Sequence, residues 1–176
     1  MVNTHPTSEY SWTKRLISNT FKVHHKGLVV GSLTTKDWDK SAVGMIDGSS
    51  YLFKPKGLLG VTVDVIRLPQ HKRIAEISFA TLTSEVTITT DKHTYSCHLP
   101  RLSMSHYTIS SPEGATLRFA STTAKGSITT NSADPMLILA GLYITKHIKS
   151  TYYMAALTML LTSITITEVV LFLLRS

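Results

Sequence analysis

Asp134-Pro135-Met136-Leu137-Ile138-Leu139-Ala140-Gly141-Leu142-Tyr143-Ile144 is the stretch on whose reading the fold turns. Asp134 is a favoured helix N-cap, and Pro135 suits the first helical position, where a missing N–H leaves no bond unmade. Between residues 136 and 144 no side chain is charged, so a helix there is apolar on every side. Such a helix has to be enclosed, by protein or by lipid. Its length is about half of the ~20 residues that a bilayer crossing takes. The enclosure is therefore protein, and the residues before the helix have to supply it.

Those residues read as strands. Runs at 19–24, 28–34, 42–46, 50–54, 60–67, 73–80, 85–90, 94–98, 102–104, 106–110, 116–120 and 126–130 are rich in Thr, Val, Ile and aromatic residues. Val61, Val63 and Val65 fall on one face, with Thr62, Asp64 and Ile66 on the other. Val86 and Ile88 likewise oppose Glu85, Thr87 and Thr89, the period of a half-buried strand. Asp47-Gly48, Lys56-Gly57, Asp91-Lys92 and Pro112-Glu113-Gly114 separate consecutive runs as hairpin loops do.

No helical-period segment interrupts the series, so the pairing should be antiparallel. About a dozen short strands need closure or a sandwich, because open edges invite aggregation. A sandwich buries its own two faces and leaves the apolar helix without a partner. The expectation is a mainly β fold: a closed antiparallel barrel of about 12 strands around a hydrophobic helix. In residue terms that is a flexible N-terminus at 1–9 and a barrel over 10–150 with its central helix at 134–148.

Beyond Ile144 the text turns polar at Thr145-Lys146-His147, and Lys149-Ser150 read as a short basic break. Residues 152–174 then run with a single acid, Glu168, long enough to cross a hydrocarbon core at ~1.5 Å per residue. Tyr152 and Tyr153 suit an interfacial aromatic belt and Arg175 closes the far end, so a C-terminal transmembrane helix is expected over 151–175. Thr158, Thr162, Thr165 and Glu168 belong to a polar stripe suited to docking on another membrane helix. The alternative is a long helix buried in a soluble oligomer. Lys146 and Lys149 precede the span, which places the barrel on the cytoplasmic side of a single-pass anchor. The same two lysines are the candidate lipid-headgroup contacts.

Composition narrows the chemistry. The net charge of +7 and a pI near 9.6 favour anionic partners. Nucleic-acid binding calls for aromatic residues interleaved with cations on one strand face, and Tyr51 and Phe53 beside Lys54 are too few. Cys97 is the one cysteine, so no internal disulfide forms. His24, His25, His93, His98 and His106 show no metal-ligand spacing, and Cys97 and His98, adjacent in a strand, point to opposite faces. There is no Gly-x-Ser-x-Gly elbow, phosphate-cradling loop or His-Glu-x-x-His helix. Asp37 and Asp39 flank Trp38 as a solvated loop pair. No catalytic residue, metal or cofactor is assigned, and the chain is expected not to be an enzyme.

A dozen antiparallel strands followed by one hydrophobic helix resembles the tubby C-terminal-like superfamily, which includes the LURP-one-related proteins and the phospholipid scramblases. The likeness is carried by Phe21-Lys22-Val23 turning into Val30-Gly31-Ser32-Leu33, by Gly126-Ser127-Ile128, and by the helix text from Asp134 onward. It covers roughly residues 12–148. The resemblance implies a closed barrel around a buried helix, often at membranes, with anionic lipid bound by some members. The acidic calcium-binding segment and the palmitoylated cysteine cluster of scramblases have no counterpart here, and the second apolar helix is additional. The expected function is therefore a non-enzymatic, membrane-anchored β-barrel acting as an interaction or accessory subunit of a membrane complex. Its expected partners are membrane lipids, anionic ones included, and other membrane-protein subunits or a second copy; nucleic acid is not among them. A phospholipid scramblase or lipid-transfer-like protein is the alternative.

Overall fold

A computed structural model describes residues 7–57, 61–80, 85–99 and 105–173. Beyond Ser150 it places side chains at Thr158, Met159, Leu161, Thr162 and Ser163. The strands in order are β1 (Ser8–Lys14), β2 (Thr20–His25), β3 (Leu28–Thr35), β4 (Ala42–Ile46), β5 (Ser49–Lys56) and β6 (Thr62–Leu68). They continue with β7 (Lys72–Phe79), β8 (Glu85–Thr90), β9 (Thr94–His98), β10 (His106–Ser110), β11 (Thr116–Ser121) and β12 (Lys125–Thr130), and α1 (Met136–Leu173) follows. The chain divides into two compact units, Met1–Ile144 and Thr145–Ser176.

Each strand pairs antiparallel with its neighbours in sequence, and β1 pairs with β12 to close the barrel. The turns explain the register. Lys26-Gly27 and Asp47-Gly48 have φ of 49°, 80°, 47° and 75°, the left-handed pairs that match strand twist in two-residue hairpins. Alternation sends Val63 and Val65 inward, while Val61, which precedes β6, is 38% exposed. The run expected at 102–104 lies outside the described residues. The flexible N-terminus expected at 1–9 is corrected at its end, because Ser8 and Glu9 belong to β1 and pair with Thr130 and Thr129. The reason is closure: without β1, the backbone groups of β2 and β12 would be left as two open edges.

The lumen is filled. Trp12, Phe21, Leu33, Ile46, Phe53, Ile77, Ile88, Ile109, Leu117 and Ile128 point in from the wall and are buried. Met136, Leu137, Leu139, Leu142 and Ile144 are buried with them. Each such side chain contributes about 1.5–3 kcal/mol against leaving it in water. The helix is positioned by polar contacts as well as by volume. Met136 N–H donates to Asp134 Oδ1 at 2.9 Å, completing the N-cap. Tyr107 hydroxyl donates to the Gly141 carbonyl at 2.6 Å, and Tyr143 hydroxyl donates to the Lys40 carbonyl at 2.8 Å. Tyr107 stacks on Phe119 with ring centroids 4.8 Å apart, and Tyr143 on Phe53 at 5.1 Å. Gly141 is small by necessity, since a methyl there would fall on the Phe119 ring.

The break expected at Lys149-Ser150, and with it the end of the central helix at 148, is corrected: α1 runs on without interruption. No Gly or Pro lies between residues 142 and 173, and polar residues alone cost a helix only ~0.7 kcal/mol or less each. Among the described residues, no helix is long and apolar enough to cross a membrane. Most side chains of the span expected over 151–175 lie outside the described residues.

Candidate functional site

Residues 136–144 occupy the space that a lipocalin-type barrel keeps for a ligand. Binding chemistry therefore falls to the outer wall, the loops and the helix beyond the barrel.

One groove lies on the outer wall. It has a volume of about 590 Å³ and is lined by His98, His106, Thr108, Arg118, Ser127 and Thr129, among others. It lies beside the shortest strand register of the barrel among the described residues: β9 and β10 are paired at Ile109 with Cys97 and Ser110 with Ser96. Arg118 stands in the next strands' cross-row, paired with Thr108 on one side and Thr129 on the other. A guanidinium, two imidazoles and several hydroxyls, with no carboxylate in the lining, suit an anionic, oxygen-rich group.

A second polar cluster is self-contained. Lys56 Nζ lies 2.8 Å from Asp64 and 3.1 Å from Glu76, while Arg73 reaches Asp64 at 3.0 Å and Glu76 at 2.9 Å. The hydrogen bond to Asp64, then that to Glu76, holds the Lys56 ammonium above its ordinary pKa. Two of the cations that the composition offered to an anionic partner are thus engaged by the chain's own acids.

The two ends of the barrel differ. Because Tyr143 reaches Lys40, the helix leaves the lumen at the end that carries loops 15–19 and 36–41. Asn19 ties these loops together: its side-chain amide donates to Asp37 at 2.7 Å, and its carbonyl accepts from Thr35 N–H at 2.9 Å. On them Leu16 is 80% exposed, Ile17 100% and Trp38 84%. Lys36 Nζ sits 5.8 Å from the centre of the Trp38 ring. Asp37 and Asp39, read from sequence as a solvated pair, serve different partners. Asp39 accepts from Ser41 hydroxyl at 2.7 Å and Ser41 N–H at 2.9 Å, and the Ser41 hydroxyl bond in particular holds its carboxyl below the usual range.

The residues assigned from sequence are not gathered into one place. Lys146 and Lys149 are half-buried and each already takes part in an interaction within the chain. Thr158 and Thr162 are exposed, and Thr162 hydroxyl bonds back to the carbonyls of Thr158 at 3.0 Å and Met159 at 2.9 Å. Thr165 and Glu168 lie outside the residues whose side chains are described. His24 bonds Thr13, His25 the Glu9 carbonyl and His106 Ser105, each a local contact. Among the described residues no group of three or more His, Cys, Asp or Glu could hold a metal ion. Sequence reasoning missed Arg118 and the tie between the loop that carries Leu16 and Ile17 and the loop that carries Trp38. The first needs the register of three strands, and the second needs neighbouring loops to be recognised.

No family model, no curated protein and no solved structure matches this chain.

Proposed function

We propose that this chain is a non-enzymatic β-barrel held at a membrane by its C-terminal helix, acting as an interaction or accessory subunit. The observation that carries the reading is the filled lumen. A barrel that spends its interior on its own helix works through its exterior, and the exterior here is basic at the groove around Arg118. The span rests on the sequence of 152–174 and its flanking Tyr152, Tyr153 and Arg175. The positive-inside tendency of Lys146 and Lys149 puts the barrel on the cytoplasmic side. A tubby-like ancestry fits the strand count and the buried helix. It brings anionic lipid as the candidate ligand of the exterior, and it keeps a scramblase or lipid-transfer role as the rival reading.

Alkaline carbonate extraction of membranes from expressing cells tests the anchor. The chain should stay in the pellet, and its release into the wash ends the reading. Glu168→Leu then tests docking: insertion should persist while recovery of partner subunits in mild detergent falls. Unchanged recovery removes the accessory role, and lipid flip above background in liposomes favours the rival.

A further inference from the structure

We propose that the loops at the helix-exit end, 15–19 and 36–41, form a membrane-interface contact. In it Leu16, Ile17 and Trp38 enter the headgroup–acyl boundary, while Arg15, Lys36 and Lys40 meet anionic headgroups. The inference rests on the anchored-barrel reading above.

Three large apolar side chains at 80–100% exposure on two loops tied by Asn19 are not scattered surface residues. An exposed indole with one polar atom belongs at a membrane–water boundary. The charges around it select the partner. Asp37 and Asp39 are exposed as well but are hydrogen-bonded to Asn19 and Ser41, and the exposed cations Arg15, Lys36 and Lys40 outnumber them three to two. Each cation near an anionic leaflet contributes about 1 kcal/mol of attraction. The opposite end also exposes Leu28 and Val29, but in its turns Lys26 and Lys92 are outnumbered by Asp47, Asp91 and Glu113, so an anionic surface gains less there.

Trp12 and Trp38 are the two tryptophans, one buried and one exposed, so fluorescence reads this surface directly. The full chain is reconstituted into vesicles of phosphatidylcholine, with or without phosphatidylglycerol, carrying brominated acyl chains. On the anionic vesicles a roughly twofold drop in Trp38 emission is expected, and a smaller one on the neutral vesicles. Trp38→Phe should abolish the drop while the Trp12 signal persists, showing an intact barrel. Arg15→Glu with Lys36→Glu should erase the preference for anionic vesicles. Retention through a carbonate wash with Trp38 unquenched overturns this proposal and leaves the anchor standing. Quenching of a chain that the wash releases keeps the contact and removes the anchor. A blue shift of Trp38 that appears without vesicles and grows with protein concentration assigns the surface to a second copy, and overturns the proposal as well.

Discussion

Burial decides what the one cysteine can do. Cys97 faces the lumen from β9, and desolvation pushes its thiol up from 9.0 to about 12. The unfolded chain ionises that thiol near pH 9 and the folded chain does not, so the stabilisation is whole below pH 9 and is lost as pH rises toward 12. Thermal melts should accordingly decline steeply above pH 9, and Cys97→Ala should remove part of that decline. Tyr143, Tyr95 and Tyr10, whose phenols burial also raises, contribute to the rest. At neutral pH an alkylating reagent should label Cys97 only after denaturant is added; rapid labelling of the native chain contradicts its lumenal placement. From sequence Cys97 was legible as standing inside a strand run on the face opposite His98, but which face is lumenal was not. Arg118 was not legible, because a lone arginine between Leu117 and Phe119 joins a groove only through the strands paired on either side of it, at Thr108 and Thr129. Nor was the tie between the loop of Leu16 and Ile17 and that of Trp38, which is made by the Asn19–Asp37 bond across a separation of 18 residues.

The central helix fits its barrel through absence of volume at one position. Gly141 presents its carbonyl to Tyr107 and its bare Cα to the Phe119 ring. Gly141→Ala should destabilise the fold by about 1–3 kcal/mol, as overpacking does, and Phe119→Leu in the same chain should recover part of the loss. Denaturant titration of the single and double variants measures both, and additive effects would mean that the two positions do not share one space. The helix itself was the most legible element. Its cap at Asp134, its all-round apolar character and its enclosure follow from eleven consecutive residues. Strand existence was legible from alternation, as at Val86 and Ile88, and the runs at 42–46, 85–90, 94–98 and 106–110 match β4, β8, β9 and β10. Other ends moved by a residue or two, because a ladder extends as far as its neighbour reaches. β1 was harder to see, since Ser8, Glu9 and Ser11 are polar and their place is fixed by a partner more than a hundred residues away. The expected break at Lys149-Ser150 failed because polarity does not end a helix that meets no Gly or Pro.

At the scale of the molecule, every strand pairing but one joins neighbours in sequence, and the exception, β1 with β12, shuts the cylinder through six residue pairs. Deletion of residues 1–14 removes Trp12 from the core and bares the edges of β2 and β12. Such a chain should aggregate on expression and bind an apolar dye, both readable by size exclusion and fluorescence; a monodisperse product would mean that closure is dispensable. The order of the elements has a further meaning for biosynthesis. The piece that ends innermost leaves the ribosome after all the staves that surround it, so a nascent chain that has reached β12 still carries an oily hollow. For that interval the half-made protein exposes apolar surface of the kind that promotes aggregation, and the arrival of the nine residues from Met136 to Ile144 covers it.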